Sequence, residues 1–281
     1  MSRSRILVLT VLAMIAFAGN SLLCRLALHH TAIDPASFTW IRLVSGALAL
    51  WLIVRVRAPA SSAGNWRSAF ALFVYGATFS FAYASLTAAT GALLLFGAVQ
   101  ATMIGYGLSR GERLTAQQLA GLALAFGGLT WLMLPGLAQP PLAGSILMLV
   151  AGAAWGVYSL RGKGAGDPAR VTAGNFARAV PFALALAAAM LPWASIDAAG
   201  AACAVVSGAI ASGVGYIIWY TALRGLSATG AAVVQLSVPV LAALGGALFL
   251  SEAITLRLAI ASIGILGGIA MVIYSKPLPA R

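Results

Sequence analysis

Aromatic side chains recur at helical spacing inside apolar stretches of this chain. Tyr75, Phe79 and Tyr83 follow one another every four residues, which places them on one face of a helix. Tyr216 and Tyr220 repeat this spacing later in the chain. The two stripes predict the wall of a cavity for flat or apolar groups, with Phe79, Tyr83 and Tyr216 as the candidates, because Tyr75 lies nearer one end of its stretch. Helix packing and an aromatic belt at a lipid interface would produce the same pattern.

Side-chain amides form a second set of candidates. Asn20, Gln100 and Gln235 stand inside apolar stretches. An amide donates to a carboxylate and accepts from an ammonium group, so these residues suit a zwitterionic ligand. The alternative is hydrogen bonding between helices, which is worth only about 0.6 kcal/mol on average in membranes.

Two arginines, Arg42 and Arg178, lie inside the apolar stretches and not at their ends, each six residues after the start. Each lies within about two helical turns of an end, so it could extend to the surface or hold a gate by bonding helix carbonyls. No Asp or Glu occurs at mid-stretch. We therefore expect an aromatic-lined cavity without a fixed charge at its centre. The remaining candidates for its lining are Trp155, Tyr158, Ser159 and Pro239, which removes one backbone hydrogen bond.

The composition of the chain indicates the environment in which these residues lie. Of 281 residues, 62% are hydrophobic and 8% are charged, and the mean hydropathy is +0.99. Soluble domains average about 45–50% apolar and about 25% charged residues. These values exclude a soluble enzyme, a disordered chain and a disulfide-stapled domain, and they predict an all-α polytopic membrane protein.

The net charge of +12 does not indicate nucleic-acid binding, because the basic residues are scattered and form no stripe. Cys24 and Cys203 form no C-x-x-C pair, so we expect neither a metal nor another cofactor. The expected partners are membrane lipid and a small-molecule substrate. Monomer and homodimer both stay open.

A helix needs about 20 residues to span a membrane, and ten apolar stretches of the chain have about this length. They cover residues 6–28, 36–54, 66–88, 90–109, 115–135, 142–161, 172–192, 199–223, 227–250 and 255–274. With a cytoplasmic N-terminus, most of the 17 Lys and Arg residues fall in inner segments, and only Arg25 and Arg257 lie at outer ends. The positive-inside rule therefore predicts that both termini are cytoplasmic.

An internal repeat divides the chain. Segment 111–134 aligns with segment 251–274 at an offset of 140, so that Glu112 matches Glu252 and a Gly-Gly pair follows in both. We expect these Gly-Gly pairs, Gly127-Gly128 and Gly267-Gly268, to allow close helix approach.

This repeat predicts two five-helix units, residues 1–138 and 139–281. Because five is odd, the second unit must enter the membrane from the opposite side. Inverted repeats are typical of secondary transporters, which hold the substrate near the midplane between the halves and expose it alternately to each side.

Motifs near the C-terminus support a more specific assignment. Residues 219–256 contain Tyr220-x-Ala222-Leu223-Arg224, Ala231-Ala232, a mid-helix Pro239 and the run from Gly245 to Glu252. This pattern resembles the C-terminal half of the EamA-like proteins of the drug/metabolite transporter superfamily, and Arg42 also fits that family. The resemblance implies a ten-helix metabolite carrier, often an exporter. Within the superfamily, the chain looks most like the bacterial inner-membrane exporters of amino acids, including aromatic ones.

An enzyme is disfavoured, because the chain has no G-x-S-x-G elbow, no H-E-x-x-H pair and no phosphate-binding loop for ATP. We expect a secondary transporter that exports small neutral or zwitterionic metabolites, above all amino acids, by alternating access through a central cavity. Export of drug-like or other apolar metabolites, and a channel-like facilitator, stay open as alternatives.

Overall fold

The computed structural model describes residues 2–56, 63–109, 114–134, 139–162, 165–226, 231 and 234–274. Within these ranges, the long regular elements are all α-helical. They are α1 (Arg3–His30), α2 (Pro35–Arg55), α3 (Trp66–Tyr83), α4 (Ala88–Ser109), α5 (Ala116–Met133), α6 (Leu142–Gly162), α7 (Pro168–Ala189), α8 (Ala198–Leu223), α9 (Ser237–Phe249) and α10 (Leu256–Tyr274). Helix α8 contains a π-helical segment, Ser207–Val214.

The starts of two helices follow from matching local signals. Asp34 precedes Pro35 at the start of α2, and its carboxylate accepts from the backbone N–H of Ala36. Asp167 and Pro168 begin α7 in the same way. An acidic cap suits the positive end of the helix dipole, and proline is pre-organised for the first helical turn.

A polytopic membrane protein made of helices is confirmed for the described residues. Seven helices are long and apolar enough to cross a membrane. Helices α3, α5 and α9 do not reach the same combination of length and hydropathy. Ten crossings and cytoplasmic termini therefore stay predictions. The largest differences from the predicted spans are that α3 ends at Tyr83 and that α9 begins at Ser237.

The outer surface supports a lipid environment. Large apolar side chains such as Leu52, Phe126, Leu248 and Ile263 are exposed on four different helices. A soluble monomer rarely exposes so much contiguous apolar surface. The polar residues of the helices, in contrast, lie largely inside.

The helices of the two predicted units pack mainly against each other. Helix α2 contacts α7, α4 contacts α9 and α5 contacts α10. Several other contacts occur in corresponding pairs: α3 meets α6 and α7 where α8 meets α1 and α2, and α4 meets α6 where α9 meets α1. Two intertwined copies of one five-helix unit would produce this pattern, but the division into two units stays a prediction. The inversion of the second unit stays a prediction.

The close approach of α5 and α10 depends on one residue of each Gly-Gly pair. A Cβ at Gly128 would lie 2.9 Å from a backbone nitrogen of α10, and a Cβ at Gly268 would lie 2.6 Å from one of α5. At Gly127 and Gly267, an added Cβ would meet nothing within 4 Å. Of the four glycines in these two pairs, Gly128 and Gly268 are therefore the ones needed for this contact.

Candidate functional site

Aromatic rings from four helices meet at the centre of the molecule. Trp155 of α6 lies between them, with its ring centroid 4.7 Å from Tyr216 of α8, 5.0 Å from Tyr75 of α3 and 5.8 Å from Phe17 of α1. Phe79 extends this group along α3, 5.3 Å from Tyr75. All five side chains are buried. The aromatic stripes of the two predicted units thus face a common centre.

A small cavity lies inside this group of rings. Its lining includes Phe17, Asn20, Tyr75, Phe79, Trp155 and Tyr216. The free volume of about 10 Å³ is close to what one water molecule needs. Binding a metabolite here therefore requires the surrounding helices to separate.

Hydrogen bonds across three helices hold the polar side of the cavity. The Ser207 hydroxyl of α8 donates to Asn20 Oδ1 of α1 over 2.6 Å, and Asn20 Nδ2 donates to Tyr75 Oη of α3 over 3.3 Å. In this closed arrangement, the Asn20 amide bonds between helices. The same amide and hydroxyl groups become available to a ligand once the helices separate.

Arg42 is the residue for which the sequence-based expectation must be corrected. Its side chain does not extend to the surface but is buried, with a relative exposure of 2%. Its guanidinium carbon lies 5.2 Å from the ring centroid of Tyr75 and 5.0 Å from that of Phe79. Helix α2 packs against α7 and the π-helical segment of α8, and this packing turns Arg42 inward. A cation therefore lies directly behind two rings that line the cavity, although Arg42 itself is not among the lining residues.

The hydrogen bonds of Arg42 leave one nitrogen unused. Nε and Nη2 donate to Ser212 Oγ over 3.2 and 3.1 Å, and Nη2 also donates to Tyr75 Oη over 3.2 Å. Nη1 is buried and has no hydrogen-bond partner among the described residues. Within the same ranges, no carboxylate forms an ion pair with Arg42.

Arg178 bonds to backbone carbonyls, and its role in a gate stays a prediction. Its Nη1 donates to the backbone carbonyls of Ala63 and Gly174 over 3.0 and 2.9 Å. The side chain therefore connects α7 to the segment that precedes α3. Arg178 is not among the residues that line the central cavity.

A larger cavity, of about 340 Å³, lies between α6, α7 and α8. Tyr158 and Tyr220 line it, and their rings are 6.4 Å apart. Asn175 Nδ2 donates to Tyr158 Oη over 3.5 Å, while Ser159 Oγ and Tyr220 Oη have no partner among the described residues. The Tyr158 ring lies 5.5 Å from Trp155, so aromatic contacts connect this cavity to the central one.

This larger cavity reaches the surface at the end of the molecule that the sequence predicts to be cytoplasmic. Its rim includes the exposed residues Gly166 and Arg224. Towards the opposite end, Arg25 and Glu252 form an ion pair whose side-chain atoms lie 2.8 Å apart and are largely buried. The two ends of the molecule thus differ in accessibility.

The other predicted site residues lie away from the lining of the central cavity. Tyr83 is fully buried and donates to the Ala88 carbonyl over 3.3 Å. Gln235 Nε2 donates over 3.2 Å to the Ala231 carbonyl of the preceding turn. Both side chains therefore stabilise local structure in this conformation.

Gln100 and Pro239 are both buried, on α4 and α9, which pack against each other. Gln100 Nε2 has no hydrogen-bond partner among the described residues. Pro239 has no N–H to offer the carbonyl of Gln235, and regular helix is interrupted at Leu236. The interruption of this helix therefore has a local cause.

Four residues of the site were not among the predicted cavity residues: Phe17, Tyr75, Ser207 and Ser212. Tyr75 shares the spacing of the aromatic stripe, so the sequence does indicate it as a cavity residue. The sequence does not show how deeply Tyr75 is buried. The two serines belong to the π-helical segment of α8. No pattern in the sequence predicts this segment. Phe17 is one of many apolar residues in α1.

Comparison with known proteins agrees with this architecture. Residues 142–274 match the EamA-like transporter family. The chain is 58% identical over 274 residues to an uncharacterized protein of Pseudomonas aeruginosa, covering 97% of this chain and 96% of that protein. It is 26% identical over 251 residues to an uncharacterized transporter of Archaeoglobus fulgidus, covering 84% of this chain and 86% of that one.

A solved crystal structure at 20% sequence identity superposes with a TM-score of 0.65 over 96% of both chains. At this identity, the likeness shows the fold alone. Membership of a transporter family argues against an enzyme and gives the helices a general role in membrane transport. Together with the helical fold, the family match shows that the chain belongs to the EamA-like transporter family of the drug/metabolite transporter superfamily.

Proposed function

We propose that the protein is a secondary transporter that exports small neutral or zwitterionic metabolites, above all amino acids, across the bacterial inner membrane by alternating access. The observation that carries this proposal is the buried aromatic and polar cluster shared by the two predicted units. Tyr75 and Asn20 come from the first unit, and Trp155 and Tyr216 come from the second. A site between two repeats is where secondary transporters hold their substrates.

The chemistry of the cluster fits a solute with an apolar side chain and a polar end. The faces of Trp155 and Tyr216 suit flat or apolar groups and attract an ammonium group through cation–π interactions. The Asn20 amide and the Tyr75 hydroxyl offer hydrogen bonds on the other side of the cavity.

The difference between the two ends supports alternating access. The largely buried Arg25–Glu252 ion pair lies towards one end, whereas a cavity of about 340 Å³ lies at the other. Because the central cavity is too small for an amino acid, this conformation is closed around the site. Transport then requires the aromatic groups of the two units to move apart.

The proposal is tested by transport into liposomes that contain the purified protein. Labelled L-phenylalanine, L-leucine and L-threonine are offered with and without a pH gradient. We expect saturable flux and counterflow, in which unlabelled amino acid inside accelerates entry of the labelled one. Flux that does not saturate would indicate a channel-like facilitator, and absence of flux for all three amino acids would contradict the proposal.

A matched pair of tryptophan variants locates the site. Trp155→Leu removes the ring at the centre of the cluster, so we expect at least tenfold lower flux. Trp131→Leu changes an exposed tryptophan of α5, and flux should stay close to that of the unchanged protein. Equal flux in the two variants would place the site elsewhere.

Export of drug-like or other apolar metabolites is a second candidate, favoured by a separate crevice of about 330 Å³ between α4, α5, α6 and α10. Its walls are almost wholly apolar and include Leu93, Phe126 and Ile265. An apolar solute could enter such a crevice from the lipid. The same liposomes, loaded with an apolar dye, would distinguish this candidate, because flux of the dye in the absence of amino-acid flux would favour it.

A further inference from the structure

We propose that Arg42 binds the carboxylate group of the transported solute through its unused Nη1. This inference rests on the proposed function and gives it a chemical criterion: substrates carry a carboxylate, and removal of that group abolishes recognition. The observation that carries it is a buried guanidinium behind the wall of the central cavity with one nitrogen free.

The hydrogen-bond inventory of Arg42 is the first step. A guanidinium has five N–H donors, and none of them can be lost by deprotonation in a protein. Three donated bonds, to Ser212 and Tyr75, occupy Nε and Nη2. The two N–H groups of Nη1 find no acceptor among the described residues, although the atom is shielded from solvent. A buried polar group in this state normally indicates an absent partner.

The charge is equally uncompensated. A buried cation without a counter-ion costs several kcal/mol, and the rings of Tyr75 and Phe79 offset only part of this cost. Two other arginines of the described helices, Arg25 and Arg178, differ in this respect. Arg25 pairs with Glu252, and Arg178 donates to two backbone carbonyls. An anion is therefore the ligand that the surroundings of Arg42 favour most.

The position of Arg42 connects this charge to the cavity. The Tyr75 hydroxyl accepts from both Arg42 and Asn20, so the guanidinium and the amide meet at one oxygen in the cavity wall. Phe79 and Tyr75 separate the guanidinium from the space that they line. When the helices separate, a carboxylate that enters between Tyr75 and Asn20 comes within reach of Nη1.

The rest of the solute then lies against the second unit. With its carboxylate at Arg42, an amino acid would place its apolar side chain or its ammonium group on the faces of Trp155 and Tyr216. No described carboxylate lines the cavity to bind the ammonium group. A solute without an ammonium group should therefore still bind, whereas one without a carboxylate should not.

Four compounds with the same phenyl group test this criterion: L-phenylalanine, 3-phenylpropionate, L-phenylalaninamide and phenethylamine. Binding is measured as the rise in melting temperature of the purified protein in detergent, and flux is measured in liposomes. We expect the two carboxylates to stabilise the protein and the two amines without a carboxylate to do so at least tenfold more weakly, judged by the concentrations required.

Substitutions at Arg42 then test the residue. Arg42→Gln should abolish the preference for carboxylates, and Arg42→Lys should retain part of it. Arg55→Gln is the matched control, because Arg55 lies on the same helix but is exposed and covers the Trp51 ring. It should keep the full preference. If Arg42→Gln does not fold, Arg42→Lys and the four compounds on the unchanged protein decide the question.

The possible failures are distinguishable. Equal binding of L-phenylalanine and L-phenylalaninamide to the unchanged protein would overturn the role of Arg42 and leave transport intact. An equal loss of affinity for all compounds in Arg42→Gln would also overturn it, because a purely structural arginine has that effect. Carboxylate binding without flux would support Arg42 as the binding residue and contradict the proposed transport of these solutes.

Discussion

Arg25 of α1 donates from Nε to Oε1 of Glu252 over 2.8 Å, and both side chains are nearly buried, with relative exposures of 8% and 11%. The same arginine donates from Nη1 to the Tyr83 carbonyl at the end of α3, and Glu252 Oε2 accepts from the backbone N–H of Ala88 at the start of α4. This pair therefore connects three helices of the first unit to the segment between α9 and α10. It also caps α4, whose positive end favours a carboxylate.

Breaking this pair should destabilise the protein strongly. Arg25→Gln or Glu252→Gln leaves one buried charge without its partner, which costs about 3–5 kcal/mol. The double variant should lose less than the sum of the two single variants, because no lone charge remains. Melting in detergent measures both effects.

The control for this experiment is Arg3→Gln, which changes an exposed arginine and should lie within about 0.5 kcal/mol of the unchanged protein. Strict additivity of Arg25→Gln and Glu252→Gln would show that the ion pair contributes no coupling energy.

Neighbouring glycines of α5 should respond in opposite directions. A Cβ at Gly128 would lie 2.9 Å from the backbone nitrogen of Ile265, so Gly128→Ala must push α5 and α10 apart and should cost about 1–3 kcal/mol. Gly127→Ala meets nothing within 4 Å and should stabilise the helix by up to about 1 kcal/mol. Thermal unfolding of the two variants provides the comparison, and equal melting temperatures would mean that α5 and α10 do not approach each other as described.

The hydrogen bond from Ser207 to Asn20 should contribute to stability. Ser207→Ala leaves the buried Asn20 Oδ1 without this donor, at a cost of about 1–3 kcal/mol. Ser237→Ala is the matched control, because that hydroxyl is exposed and bonds only to the Val234 carbonyl of its own chain segment. Chemical denaturation of both variants measures the difference. A smaller loss for Ser207→Ala than for Ser237→Ala would contradict the buried network.

Asp34 should make stability depend on pH. Its carboxylate accepts from the backbone N–H groups of Ala36, Ser37 and Ser195, and so connects the start of α2 to the start of α8. Partial burial alone would raise the pKa of Asp34, but hydrogen bonds from Ser37, Ser195 and Ala36 together hold it below its ordinary value. The ionised form is therefore favoured in the folded protein.

The lowered pKa of Asp34 fixes the direction in which the stability of the protein changes with pH. The contribution of Asp34 is fully present above the unfolded pKa of about 4 and is lost as the pH falls through the lower pKa of the folded state. Asp34→Ala should therefore lower stability by about 1–2 kcal/mol near neutral pH, and by less near pH 3. Asp34→Asn keeps the shape without the charge and should show a flatter pH dependence than the unchanged protein. A constant gap between Asp34→Ala and the unchanged protein at all pH values would exclude this role.

The sequence by itself determined the fold class and most of the helix positions. Apolar stretches of this length cannot be covered by 22 charged residues in water, so lipid must cover them, and lipid requires helices whose backbone groups are bonded internally. The Asp-Pro pairs at residues 34–35 and 167–168 begin helices because their chemistry acts within one turn. The spacing of the aromatic residues also predicted Phe79 and Tyr216 as lining residues of the cavity.

Only the tertiary structure decided which faces of the helices point towards the interior of the protein. In lipid, the outer face of a helix is as apolar as the inner face, so hydrophobic periodicity does not reveal its rotation. For this reason the inward position of Arg42, the depth of Tyr75 and the packing role of Tyr83 could not be predicted. Glu252 gives a second example. The internal repeat matched it with Glu112, but its partners Arg25 and Ala88 are remote in sequence, and long-range packing alone brings them together.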